Sequence, residues 1–407
     1  MVSFNTSMAA RNNFRRRLCV SRIGAPTLST LQPPTGSDVT FSSSQGIPFD
    51  PHANWSDIEI TLGNFGNNFD DGPNAVTFRL GYEYPPTPSG ICNPIFGPNG
   101  SRDITLEPGA IVKLRIPISV KGGDFLNLRY FGTVPAAGKW VKHERIIYYA
   151  SPGNRYETPS TDKTLSGSIS GTTANDTVLA YVMSITGIPD RGTIFPTVAL
   201  LTDSIGIGAG ESTSTVEQGF LVRALQNDYA WVHLGQSGGS YSQLWSTTGL
   251  QQMRMRRRSV MLEGVTNMFS NDGTNDIGTA QNNTGEATIA FMDAQAAECR
   301  RRGIVFTPMT LGPRTDAGNT GGFYGTDTQT QRDRIDVVNT YVRTNPYGWG
   351  FYDYALSVCD PNNRYKWRSD LGTPTADGLH PNPPLHAAAA ADLKVVLPTL
   401  LMPHLVN

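Results

Sequence analysis

Val198-Ala-Leu-Leu-Thr-Asp-Ser204-Ile-Gly206 is an apolar, strand-like run that stops abruptly at a serine followed by small residues. A strand with one solvated face alternates apolar and polar side chains; a continuous apolar run fits a strand covered on both faces. Comparable runs recur downstream at Ala230–Leu234, Ser259–Glu263, Gly303–Pro308 and Trp349–Tyr354. Helix-like stretches lie around 216–226, 242–257, 286–302, 328–345 and 385–401. Strands joined through helices predict an α/β domain over 191–407, a parallel sheet with helices on both faces.

In such a sheet, chemistry collects at the carboxyl ends of the strands. Ser204, Gly238 and Asn267 each fall just after an expected strand, and Asp377-Gly-Leu-His380-Pro-Asn382 lies past the last one. An acid and a histidine three residues apart, bounded by Gly and Pro, predict a short rigid turn. On it the carboxylate can hold the imidazole Nδ1–H and make the histidine a general base. Ser204 is the matching nucleophile. Taken singly, Asp377 and His380 could be a loop ion pair, and Ser204 a helix N-cap. Their joint occurrence at one rim favours a site.

A second serine competes: Gly235-Gln-Ser237-Gly-Gly239 fits the G-x-S-x-G pattern after an expected strand. That pattern is easily matched in Gly/Ser-rich sequence, and Ser204 would then stand unexplained. His233 within a strand, and His386 and His404 on or after the terminal helix, lack an acid at short spacing and read as structural. Arg254, Arg256, Arg257 and Arg258, with Arg300 to Arg302, fall at expected helix ends, where cations complement carbonyl termini. No His/Cys/carboxylate cluster predicts a metal, and no glycine loop predicts a nucleotide cofactor.

Upstream the pattern differs. Residues 1–50 are rich in Ser, Thr, Pro and Gly with little periodicity, and are expected to form an extended arm. Over 51–190, period-two runs begin at Asp57, Val76, Ala110, Phe125, Glu144 and Val178, separated by Gly/Pro/Asn turns. They predict an all-β accessory domain, an antiparallel sandwich of jelly-roll type.

The net charge of −1 gives no field favouring nucleic acid or an anionic membrane. No apolar stretch approaches the roughly 18 residues of a membrane span, and no signal-peptide run follows the N-terminal arginines. A soluble protein is expected, with compartment and oligomeric state open. Cys19, Cys92, Cys299 and Cys359 are scattered without metal-site spacing and read as free thiols, with one disulfide left open.

From about 192 onward the chain resembles the SGNH (GDSL-type) hydrolase superfamily, whose signatures are short blocks at strand ends. Thr202-Asp203-Ser204-Ile-Gly206 matches the nucleophile block, Ser237-Gly238-Gly-Ser240 the glycine block, and Asp377 to Asn382 the acid–base block. Gly264-Val-Thr-Asn267 is similar to the asparagine block, with Asn275 in Gly273-Thr-Asn275-Asp276 as the alternative. The resemblance implies a flavodoxin-like three-layer fold and a cofactor-free serine esterase. Ser204 is then the nucleophile, His380 the base and Asp377 its orienting acid. The N–H groups of Ser204 and Gly238 and the amide of Asn267 form the oxyanion hole. Two departures stand out, Thr202 in place of the usual glycine and Met268 in place of an aspartate. An ester-bearing glycan or small-molecule substrate is expected, with Arg314, Phe323 and Tyr324 of the 311–324 loop as a candidate wall of its site. The departures also motivate another class of function, a catalytically silent glycan-binding or structural module of a phage or surface assembly.

Overall fold

The computed structural model describes residues 17–20, 22–23, 26–31, 39–65, 71–85, 92–143, 155–170, 181–191, 195–211, 219–225, 228–245 and 260–401. The expected strand at 144–149 and the arginines at 254–258 lie outside the described residues.

A five-stranded parallel sheet runs in the order Val305–Pro308, Asn267–Ser270, Thr197–Leu201, Ala230–His233, Arg22–Ile23. Side chains along a strand alternate between faces. Ala199 and Leu201 accordingly enter a cluster with Met292, Ala296 and Cys299 of helix Gly285–Arg302 and Ile335, Val338 and Val342 of helix Gln329–Arg343. Val198 and Leu200 enter another, with Phe220 to Val222, Tyr354 and Leu385 to Leu401 of helices Phe220–Leu225, Tyr354–Val358 and Pro383–Leu401. Helices thus cover both faces. Pro383–Leu401 is the one helix among the described residues with the length and apolar character of a membrane span. Of its apolar side chains, Leu385, Ala389, Leu393 and Leu397 are buried against the sheet, while Val395 is exposed.

Two expected strands of this half are corrected. Residues 260–261 are helical and 262–264 a turn, so the strand over Ser259–Glu263 does not form. The next apolar stretch, Asn267–Ser270, enters the sheet instead. Met261 and Leu262 are buried too, but only Asn267–Ser270 is extended and in register with Val198–Leu201. Trp349–Tyr354 contributes one isolated bridge, Met309 to Tyr352, because Asp353 accepts the Leu356 N–H and starts a helix.

The upstream half is antiparallel. One sheet joins Leu18–Cys19, Val182–Pro189, Trp55–Gly63 and Ile111–Val120; the other is built around Thr40–Pro48, Phe125–Thr133 and Val76–Glu83. Ile58, Ile60 and Leu62 of one sheet and Phe78, Leu80, Leu126 and Leu128 of the other share one core. The extended arm over 1–50 is therefore corrected for its described residues. Thr40–Pro48 pairs with Phe125–Thr133 along nine residue pairs, and Arg22–Ile23 is an edge of the parallel sheet. Ser and Gly weaken the strand signal there, but Phe41, Ile47 and Phe49 fill the core.

The two halves are stitched together. Phe65 and Met183 of the antiparallel half pack into the core of the parallel half. The buried Asp50 carboxylate accepts the Ala230 N–H at 2.8 Å through Oδ2. Its Oδ1 accepts from the His52 N–H and imidazole Nδ1. The four cysteines form no disulfide with one another.

Candidate active site

Leu201 ends its strand, and residues 204–210 form a compact turn. Its internal bonds run from Ala209 N–H to the Ser204 carbonyl and from Ile207 N–H to the Asp203 carbonyl. Ser204 sits at the start of this turn, 9% exposed. Across from it, Asp377–His380 forms the tight turn expected. Asp377 Oδ1 accepts the N–H groups of Leu379 and His380, while Thr375 Oγ1 accepts that of Gly378. The Gly378 carbonyl accepts from Thr315 N–H and Trp367 Nε1, which fastens the turn to the 311–324 loop.

The two turns bring three side chains into line. His380 Nε2 lies 2.8 Å from Ser204 Oγ, and His380 Nδ1 lies 2.6 Å from Asp377 Oδ2. With Nδ1–H donating to the carboxylate, Nε2 presents its lone pair to the serine hydroxyl. Burial would raise the Asp377 carboxyl. The His380 and Leu379 N–H groups and the imidazole outweigh it, so the acid stays below its usual range and ionised.

Asn267 is corrected. It opens its strand rather than following one, level with Val198. That puts it at the amino end of the sheet, about 13 Å of strand from the rim that bears Ser204. Its Oδ1 accepts from Thr266 Oγ1 at 2.8 Å, and it is buried. Asn271, directly after Ser270, occupies the rim instead. Its Nδ2 donates to Asp203 Oδ1 at 3.0 Å, next to Ser204, and its N–H reaches the Leu201 carbonyl. Ser270-Asn271-Asp272 carries the Asn-Asp pair that the sequence reading sought elsewhere. A strand expected over Ser259–Glu263 ends well before this pair, whereas the observed strand Asn267–Ser270 ends directly at it. Met268, in turn, is an ordinary strand residue of the core.

Asn275 has a supporting position. Its Nδ2 donates to the Gly239 carbonyl, and Asp276 accepts the N–H groups of Tyr241 and Ser242, so the short helix Thr274–Ile277 holds the glycine block in place. Gly238 is exposed at a positive φ with open space beside its α-carbon. Among the described residues, the N–H groups of Ser204 and Gly238 make no backbone hydrogen bond. Ser237 is exposed on the same loop, and the histidine that an elbow serine would need is bonded to Ser204.

Thr202 is accommodated by its neighbours. A Cβ at Gly206 would lie 2.3 Å from Thr202 Cβ, and one at Gly235 2.1 Å from Thr202 Oγ1. The side chain absent from those two positions leaves the volume that Thr202 fills. Asp203 is fully buried, which pushes its carboxyl up to about 6 against the Ile205 N–H, the Asn271 amide and the nearby His380, all of which lower it.

The 311–324 loop is ordered by Asp316. Burial would raise that carboxyl, but donors from Thr320, Thr315 and Gly322 hold it down at about 2. Arg314 is corrected as a substrate contact: it is buried, with Nε on Asp327 at 2.5 Å and Nη1 on the Thr274 carbonyl. Phe323 remains 40% exposed under the Arg332 guanidinium. His233 and His386 are wholly buried, and burial lowers them to about 3 and about 4, so both are neutral structural histidines. Among the described residues, no group of three or more His, Cys, Asp or Glu could hold a metal ion.

Among the solved structures similar to this chain are several whose names are those of ester hydrolases. A GDSL-like lipase from Bacteroides thetaiotaomicron VPI-5482 is 19% identical, at TM-score 0.34, over 49% of this chain and 87% of that one. A carbohydrate acetylesterase family member from Sinorhizobium meliloti is 16% identical, at 0.37, over 51% and 99%. An active-site mutant of a family two carbohydrate esterase from Clostridium thermocellum is 12% identical, at 0.37, over 91% and 98%. No family model matches the sequence, and no curated protein does. Ser204, His380 and Asp377 are brought together by their own hydrogen bonds, independently of these similarities.

Proposed function

We propose that the chain is a serine esterase of SGNH type that cleaves carboxylic esters through an acyl-enzyme, with O-acetylated carbohydrate as its substrate class. The observation that carries this reading is the continuous line from Ser204 Oγ through the His380 imidazole to the Asp377 carboxylate. Ser204 Oγ attacks the ester carbonyl as His380 Nε2 takes its proton, and Asp377 stabilises the imidazolium. The imidazolium returns the proton to the leaving alcohol. Water activated by the same histidine then releases the acid. The developing oxyanion meets the N–H groups of Ser204 and Gly238 and the Asn271 amide, donors worth about 3 kcal/mol each in such sites.

A polar alcohol suits the exposed parts of these blocks, since Ser237, Gly238 and Asp377 are polar or lack a side chain. The antiparallel half is assigned the part of an accessory sandwich that shapes or presents the substrate. A silent module is the weaker reading: Thr202 has room, and Met268 is no longer a departure once Asn271-Asp272 stands at the rim.

Acetate release from an O-acetylated oligosaccharide, alongside a p-nitrophenyl ester chain-length series, tests the reading. Wild-type protein and Ser237→Ala should turn over acetyl esters fastest, and Ser204→Ala should turn over none. Well-folded wild type without turnover of any ester would sink it, and loss in Ser237→Ala alone would move the nucleophile.

A further inference from the structure

We infer that Glu211 is a positioning residue for the Ser204–His380 pair, clamping the nucleophile turn against the acid–base turn. The inference rests on the serine-esterase reading and adds a residue to it. The turn that begins at Ser204 ends at Glu211, whose side chain is 1% exposed. Arg223 of helix Phe220–Leu225 grips that carboxylate at both oxygens, Nε to Oε1 at 2.7 Å and Nη2 to Oε2 at 2.5 Å. His386 of the terminal helix holds the residue two before it, with Nε2 donating to the Ala209 carbonyl at 3.2 Å. Its Nδ1 lies 4.0 Å from Glu211 Oε1.

Between these two anchors lies Gly210, and it is here that the turn touches the catalytic base. Gly210 has φ +91, and a Cβ there would come within 2.3 Å of the Pro381 carbonyl and 3.4 Å of the His380 carbonyl carbon. The backbone of the nucleophile turn is thus pressed directly onto the residue that follows the base. One end of the turn carries Ser204, the other abuts His380–Pro381, and the Glu211–Arg223 fork sets how far it can drift. A bidentate fork fixes orientation as well as distance, which a single contact does not. Glu211 touches neither substrate nor reacting atoms. Its effect passes through the geometry of the Oγ–Nε2 pair, where displacements on the order of 1 Å cost roughly a hundredfold in rate.

The test compares wild type, Glu211→Gln, Arg223→Lys and Gly210→Ala. Two readouts are taken, p-nitrophenyl acetate kinetics and the rate at which a fluorophosphonate labels Ser204, with near-UV circular dichroism reporting the folded fraction. Glu211→Gln should lower kcat and the labelling rate together, roughly ten- to a hundredfold, with KM within about twofold of wild type. Arg223→Lys, which keeps the charge and loses the fork, should fall between. Gly210→Ala should act in the same direction while leaving the ion pair intact, and it decides the matter if Glu211→Gln does not fold. Variants that label and turn over within about twofold of wild type overturn the clamp, as do losses that merely track the unfolded fraction. Wild-type protein that neither labels nor hydrolyses overturns the esterase reading, and the clamp with it.

Discussion

At the scale of single residues, Asn271 and Asn267 differ most sharply, one at each end of the same strand. Removing one oxyanion donor costs about 10²–10³-fold in kcat, so Asn271→Ala should show that loss in p-nitrophenyl acetate hydrolysis. Asn267→Ala, at the far end of the strand, should leave kcat near wild type and lower stability by about 1 kcal/mol for its buried hydrogen bond. Asp203 gives a prediction of opposite sign for stability and rate. Its folded-state carboxyl, raised from 3.8 to about 6, opposes folding as pH climbs through that window and is neutral in its effect below it. The shift corresponds to roughly 3 kcal/mol. Asp203→Asn keeps an oxygen for the Ile205 N–H, so its thermal stability relative to wild type should rise between about pH 4 and pH 7. Its kcat should fall, since the negative charge beside His380 is lost. Ser204, Asp377 and His380 were legible in the sequence because each motif is short and carries its own turn chemistry. Asn271 was not, because its identity as a rim residue depends on where a strand ends.

At the scale of elements, that strand end is the lesson. Val260 to Leu262 is the more apolar run, with Met261 and Leu262 buried, and no local signal says that the buried Asn267 to Ser270 extends beside Val198 instead. The choice is made by parallel pairing, a long-range interaction. The helices fared better: Gly285–Arg302 and Gln329–Arg343 begin at Thr284 and Thr328, whose side chains cap them as Thr residues favour. Packing around the nucleophile turn offers a test at this scale. Gly206→Ala should cost about 1–3 kcal/mol by overfilling the space beside Thr202. Thr202→Gly in the same chain should recover part of that loss in a denaturant titration. Additive losses in the double variant would contradict the packing account.

At the scale of the whole molecule, the described residues of the arm expected over 1–50 lie in sheets of both halves, so the two halves are not independent pieces. Composition hid this, since Ser42, Ser43 and Ser44 are polar in sequence yet buried in a paired strand. Residues 191–407 expressed alone should therefore fail to give a cooperative thermal transition, having lost Arg22–Ile23 from the sheet edge and Phe65 and Met183 from the core. At the seam, Asp50→Ala strands the Ala230 N–H in the interior, a loss of about 1–3 kcal/mol. Its hydrogen bond to His52 raises that imidazole against partial burial, so the stabilisation it adds is complete below the ordinary histidine value. That part is lost as pH rises through the folded one. The difference in melting temperature between wild type and Asp50→Ala should therefore shrink from about pH 6 to about pH 8.

The most direct test of the central claim is to find which serine carries the acyl group. Wild-type protein is quenched in acid during turnover of p-nitrophenyl acetate, digested and mapped by mass spectrometry. The account predicts acetylation at Ser204, absent in Ser204→Ala and unchanged in Ser237→Ala. Acetyl on Ser237, or turnover that survives in Ser204→Ala, would contradict it.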